Sequence, residues 1–488
     1  MQQRMKSLRS ALLLACAAAM IAIPTQAQTT APSAGLIYLQ TIPIPKWATS
    51  GSSQADYDLF AFNPVNRVMY VADRVNHVVT AIDTITNGVI GMIAVPGAPR
   101  LNGVVVAPDL QQLVVTDGRA NAFVYDLRVP GSAPDQYALP NVSGTDALDY
   151  DPFNHNVYVI NSNSPYYMSG IDLINKTVST QFLLPGSPEL MRFNPNDGLI
   201  YQVITAFIDN KSQSGVVAYD PVGNSIRTTY NVPCAPHGID IDPVANVAVL
   251  GCGTNQPQIM LSLKDGSMKM FPDVTGTDLL QFNPNNRRFY VGASSNVSTT
   301  TGCPADSTKA MPVIGVFDAG ADGKGRLAGV TCTGRNAKLG VDSIDNFIYV
   351  GTRQYPVNAA DANTGQAGVL VFYDPAPSQP LTTFTQAVLN PPPGVDPLFP
   401  PVTFQMYPLG RRGLRGTVIV PTVPGTSANV TVTTTAGYEV VGCGIDPITN
   451  MGFCDGPLIG DPLIGGVAAL AVNGKLFTLG TITLPPHP

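Results

Sequence analysis

Apolar positions alternate with polar ones in short runs that are too brief for helices and are punctuated by Asn-Pro or Asp-Pro pairs, the pattern of half-buried strands joined by tight turns. In the first group, residues 59–62, 68–72, 78–83 and 88–95 read as four strands, a to d. Asn63-Pro64 turns a into b, and Thr86-Asn87 turns c into d. The a–b unit Phe62-Asn63-Pro64-Val65-Asn66-Arg67-Val68-Met69-Tyr70-Val71 recurs as Tyr150-Asp151-Pro152-Phe153-Asn154-His155-Asn156-Val157-Tyr158-Val159 and as Phe282-Asn283-Pro284-Asn285-Asn286-Arg287-Arg288-Phe289-Tyr290-Val291. Looser copies centre on Pro108, Pro195, Pro243 and Ser343, which makes seven. Their spacing of about 41 to 59 residues is that of four-stranded propeller blades. The expected fold is all-β, a seven-bladed β-propeller over residues 36–375.

Two further stretches bear on how the ring ends. Residues 36–42 read as an orphan outer strand, and pairing it with the last blade would remove two exposed edges. After a Pro-rich linker, residues 376–400, comes a C-terminal β region, residues 401–488. Within it, 417–420 and 430–434 alternate as a hairpin, and 444–454 resembles another a–b unit with 467–472 and 476–482 as outer strands. A seven-bladed ring with a C-terminal β appendage is expected, with eight blades as the alternative.

Composition changes this picture in three ways. The 46 Gly and 44 Pro suit a turn-rich chain, and 12% charged residues with a net charge of -6 argue against nucleic-acid binding, which needs a basic stripe. Arg4, Lys6 and Arg9 before the apolar run 11–23, with Thr25-Gln26-Ala27 after it, read as a secretory signal peptide over residues 1–27, so a periplasmic or secreted protein without a membrane span is expected. Beyond Cys16, the remaining cysteines suggest three local bridges: Cys234 with Cys252, Cys303 with Cys332, and Cys443 with Cys454. Zinc binding, the rival reading, lacks any CxxC pair.

The tetrapeptides Tyr70-Val71-Ala72-Asp73 and Tyr158-Val159-Ile160-Asn161 resemble the naming motif of YVTN-type β-propellers. That superfamily implies surface and scaffold proteins as well as relatives of lactonases, so the resemblance selects no activity.

The repeat also serves as a ruler. Six residues before each anchor stand Asp58, Asn102, Asp146, Glu189, His237 and Asp278, and in the seventh repeat Ala337, flanked by Asn336 and Lys338. In a propeller these places converge on the mouth of the central channel. Carboxylates gathered there raise one another's pKa or require a cation. Oxygen donors with one imidazole suit Ca²⁺, Mg²⁺ or Mn²⁺. The segments Leu101-Asn102-Gly103-Val104 and Pro236-His237-Gly238-Ile239 are similar to the blade starts of the senescence marker protein/gluconolactonase family. That resemblance implies a metal held by Glu189 and Asn102, with His237 where the family has Asp; Asp58 and Asp278 complete the expected metal set. His237 and Asp146 are the expected proton carriers. Two other readings stay open: polar residues that only solvate a channel mouth, and acid–base chemistry without metal.

Lower in the channel, Asp149, Arg192, Asp240 and Gln281 are expected to face one another, with Arg192 neutralising a carboxylate. Loops at the mouth offer Arg74, His77, Arg119, Tyr166, Tyr167, Arg353 and Tyr355 to a small anionic or aromatic ligand. Asp83, Asp126, Asp172, Asp220, Asp318 and Asp374 close strand c and are expected to accept turn N–H groups. No GxSxG elbow, HExxH helix, nucleotide-binding Gly-rich loop or CxxCH haem site occurs. The expectation is an exported, metal-dependent, lactonase-like hydrolase acting on a small molecule at the channel mouth; the alternative is a non-catalytic propeller binding a ligand or a protein partner.

Overall fold

The computed structural model describes residues 35–45, 56–353 and 368–376 apart from a few short gaps, together with the backbone of strands between 382 and 482. The expected signal peptide and Tyr355 lie outside the described residues.

Seven four-stranded antiparallel sheets form between residues 37 and 373. In blade 1 the strands are Tyr57–Asn63, Val68–Asp73, Val78–Asp83 and Gly88–Ala94, close to the expected bounds. Each inner strand packs beside the next around the ring, and Tyr57–Asn63 meets Asn336–Asp342, which closes it. The seventh sheet takes its outermost strand from the start of the propeller, because Ile37–Pro43 pairs antiparallel with Gly368–Tyr373. The fold is thus a seven-bladed β-propeller whose last blade is completed by the strand that precedes the first.

The recurring a–b unit folds for local reasons. In six of the seven blades an Asn or Asp precedes the anchor, is fully buried and caps its own turn: Asn63 Oδ1 accepts from Val65 N at 3.0 Å, Asn283 from Asn285 N at 2.9 Å and Asp342 from Ile344 N at 2.8 Å. The residue that leads into strand b is left-handed in every blade, for example Arg67 at φ 57°, Gly198 at 74° and Asn346 at 58°. Two residues after the anchor, Asn66 and Asn286 donate to the hydroxyls of Tyr70 and Tyr290 at 2.9 and 2.7 Å. These tyrosines stay buried in the blade core with their polar tips satisfied. At the ends of strand c, Asp83, Asp126, Asp172, Asp220 and Asp374 accept backbone N–H groups of the following turn, as expected. Asp318 instead receives Arg288 and Arg326.

The C-terminal strands form one eight-stranded sheet and not a four-stranded blade. Gly413–Pro421 pairs with Val402–Pro408 and Met451–Ile459, whereas Ala428–Thr434 pairs with Gly437–Ile445 and Gly466–Val472, so the expected hairpin between 417–420 and 430–434 does not form. The reason is locality: Thr434 pairs with Gly437, only three positions further along the chain. Residues 467–472 and 475–482 do pair as outer strands. A strand, Thr382–Gln386, lies within the stretch read as a linker.

Disulfides join Cys234 to Cys252 and Cys303 to Cys332. Cys443 and Cys454 stand opposite one another in strand register. Among the described residues no helix is long and apolar enough to cross a membrane.

Candidate functional site

The ring residues reach the channel mouth because the inner strands are bulged there. The pairing of strand a with strand b slips between Tyr57 and Phe60, Thr145 and Leu148, Pro188 and Met191, Pro236 and Gly238, and Asn336 and Lys338. Asp58, Asp146, Glu189, His237 and Ala337 fall inside these slips. A bulge frees a residue from the alternation of the ladder and re-aims its side chain. The mouth is a cavity of about 300 Å³ whose wall includes Asp58, Asp146, Glu189, His237, Asp278, Arg74 and Lys338, with Thr254, Thr277, Ser294 and Ser295 beside them.

Two cations organise the charge. Lys338 Nζ contacts Asp278 and lies 3.2 Å from Asp58 Oδ1, and both Lys338 and Asp58 are nearly buried. Arg74 pairs with Asp58, donates to Asn102 Oδ1 at 2.9 Å and to the Leu101 carbonyl at 3.2 Å. Burial works against the Lys338 ammonium, but Asp278 and Asp58 prevail and raise its pKa. Burial likewise pushes Asp58 upward against the pull of Lys338 and Arg74, and it outweighs them. At Asp278 burial loses to Lys338, and the carboxyl is held below its ordinary value.

Across the cavity stands a second set. His237 Nδ1 lies 3.6 Å from Glu189 Oε1, and this contact raises the imidazole pKa against the effect of burial. Asp146 accepts no side-chain hydrogen bond from the described residues. Burial, then the charges of Asp58 and Glu189, push its pKa up to about 7. A carboxyl titrating at about 7 and an imidazole with a raised pKa therefore share the same cavity.

The residues expected to hold a divalent ion make other contacts here. Among the described residues no group of three or more His, Cys, Asp or Glu is placed to hold one. Asp58 and Asp278 are already bridged by Lys338, and Asn102 spends its carboxamide on Arg74 and, at 3.2 Å, on the Thr145 carbonyl. The positive charge that the acidic ring demands is supplied by the chain itself.

Of the expected ligand-binding residues, Arg74 lines the cavity. Arg353 pairs with Asp56 and lines an adjoining recess with Arg335, Lys338, Asn336 and Thr308. His77 and Arg119 are exposed on turns outside the cavity wall, and Tyr166 and Tyr167 are half-buried, Tyr166 against the blade core. Counting six residues back missed Lys338. In the seventh blade the count lands on Ala337, which is buried, and the long side chain of the next residue fills the place. The Asn336–Lys338 cluster beside an apolar ring position was the signal available. Near the other end of the channel Arg192 lies between Asp149, at 3.8 Å, and Asp240, at 3.2 Å, as expected, and Gln281 accepts from Val341 N at 2.8 Å.

These features define a seven-bladed propeller with a charged, acid–base-capable mouth at the starts of its inner strands. No protein-family model matches the chain, and no curated protein matches it. Among solved structures it is similar to hydrazine synthase of Kuenenia stuttgartiensis, with a TM-score of 0.50 and 12% identity, covering 64% of this chain and 96% of that one. A likeness at that identity shows the propeller fold alone.

Proposed function

We propose that the mouth at the strand starts binds a small polar molecule with an anionic group and transfers protons on it without a metal ion. The observation that carries this reading is Asp146: a carboxyl without a hydrogen-bond donor among the described residues, titrating at about 7, in the same cavity as the Glu189–His237 pair. Near pH 7 such a site holds one group able to give a proton and another able to take one, the condition for general acid–base catalysis. For a lactone or ester, His237 with Glu189 behind it would take a proton from attacking water, and Asp146 would protonate the departing oxygen. The adjoining recess, with Arg74, Arg335, Lys338 and Arg353 set against Asp56 and Asp278, suits a carboxylate or other anion on the substrate. Export of the protein is part of the same proposal.

The test is turnover on a panel of lactones and esters carrying a carboxylate, with EDTA present throughout. Wild type is expected to turn over at least one, and Asp146→Asn and His237→Gln to lose about 10²–10⁴-fold in kcat, the usual range for a missing acid or base. Turnover unaffected by Asp146→Asn would sink the assignment. Anionic ligands that raise the Tm but are never turned over would leave a binding propeller. Activity that vanishes in EDTA and returns with Ca²⁺ or Mn²⁺ would restore the metal reading.

A further inference from the structure

The opposite end of the channel is a second, chemically different well. The a–b turns bring six repeat prolines, Pro64, Pro108, Pro152, Pro195, Pro243 and Pro284, around one cavity of about 330 Å³. Phe62, Tyr150, Phe193 and Phe282 stand on the same wall, one from each of four blades. Deeper in, Asp149, Arg192 and Asp240 are shared with a further 250 Å³ of channel. The floor of the well is thus ionic and its rim is aromatic and proline-lined.

The floor holds more acid than base. Arg192 is the basic side chain of both cavity walls, and it faces two carboxylates. Asp149 also accepts from Phe193 N at 2.6 Å, and Asp240 from Ile241 N and Phe282 N, each at 2.8 Å, so backbone donors hold both carboxylates in place across blade boundaries. Burial raises both pKa values, Asp149 to about 6, so Asp149 is chiefly ionised at pH 7.5, and two carboxyl groups face a single guanidinium. Asp109 and His155 contact one another and the Tyr150 hydroxyl, at 2.9 and 3.0 Å from it. That hydroxyl is therefore engaged, and the ring is what Tyr150 offers the cavity. Aromatic faces above a floor with this excess of carboxyl groups attract a cation whose remaining surface is apolar.

We infer that this well is a binding site for a small organic cation, an alkylammonium group whose chain contacts the Phe–Pro rim while its charge approaches Asp149 and Asp240. The site is independent of the acid–base mouth, and it gives the Phe and Pro of the recurring unit a role beyond turning the chain.

The experiment is calorimetric titration of the full chain at pH 7.5 with n-pentylammonium, 1-pentanol and pentanoate, three probes of one shape and different charge. The ammonium is expected to bind about tenfold or more tightly than the alcohol, and Asp149→Asn to remove about that tenfold preference. Phe62→Leu, at a half-buried rim position, is expected to weaken the ammonium and leave the alcohol nearly unchanged. Pentanoate binding best would make this an Arg192 anion site and overturn the inference. Equal binding of ammonium and alcohol, or none by either, would overturn it as well. So would an ammonium affinity that is lost in Asp146→Asn and kept in Asp149→Asn, since the cation would then sit at the other mouth. The wild-type comparison of the three probes decides the matter even if a variant fails to fold.

Discussion

Take the ammonium of Lys338 away, and Asp58 is left nearly buried with only Arg74 opposite it, while Asp278 loses its partner. Breaking a buried pair from one side is costly because the surviving charge is largely out of water and less well compensated. Lys338→Met is therefore expected to lower the stability to urea unfolding by about 3 kcal/mol or more, and Asp58→Asn in the same chain to recover much of it. If the double variant were no more stable than the single one, the pair would not be what holds this mouth together. Asp146 supplies a pH test at the same scale. Its folded pKa, about 7, lies above that of an unfolded Asp, so the folded state binds the extra proton between the two values. Its contribution to stability is complete below the unfolded pKa and is lost as pH rises through about 7. Wild type should lose stability relative to Asp146→Asn from pH 4 to pH 8; parallel stability curves for the two would contradict the assignment. Residue positions in the ring were legible because a repeat makes counting possible. Lys338 was not, because the position that the count reaches holds alanine and the side chain that matters reaches in from the next residue.

At the scale of elements, the strand Ile37–Pro43 decides whether the ring is closed, and its two faces differ. Ile42 is 3% exposed, stands opposite Val369 and packs in the cluster that holds Tyr57, Phe60 and Tyr349. Leu39 is 43% exposed and sits at the register slip between Tyr38 and Gln40. Ile42→Ala should cost about 2–5 kcal/mol, the range for truncating a buried isoleucine. Leu39→Ala should stay within about 0.5 kcal/mol. Thermal unfolding of the two variants checks this, and equal losses would mean that the strand is docked differently. This strand was legible because a ring of four-stranded blades lacked one member and one alternating segment had no place. The partners of residues 417–420 were not legible, since alternation identifies a strand and its faces but leaves open which of several later strands takes each edge. The bulges that aim Asp146 and His237 were hidden for a related reason: a slip of register leaves almost no trace in the pattern of apolar and polar residues.

For the molecule as a whole, the described disulfides lie within blades, whereas neighbouring blades are joined by apolar packing and by ionic and hydrogen-bonded links. Arg67 with Asp342 and Asp345 fastens blade 1 to blade 7, and Arg287 with Asp242 fastens blade 6 to blade 5. The two described disulfides join positions 18 and 29 residues apart, so each should stabilise by about 3 kcal/mol through restriction of the unfolded chain. Their places differ. Cys234 precedes the inner strand of blade 5, and His237 enters the mouth at the bulge just after it, while Cys252 ends the strand paired to that segment. Cys303 and Cys332 tie a peripheral loop of blade 6 to the end of its outer strand. Cys234→Ala with Cys252→Ala should therefore lower the Tm and also loosen the Glu189–His237 contact. Because that contact is what raises the His237 pKa, the imidazole should titrate at a lower pH once it is weakened. Cys303→Ala with Cys332→Ala should lower the Tm by a similar amount and leave His237 titrating as in the wild type. An NMR titration of the histidine ring protons in the three proteins separates the cases. If the two double variants moved His237 equally, the first bridge would be a general staple and not the support of the candidate site.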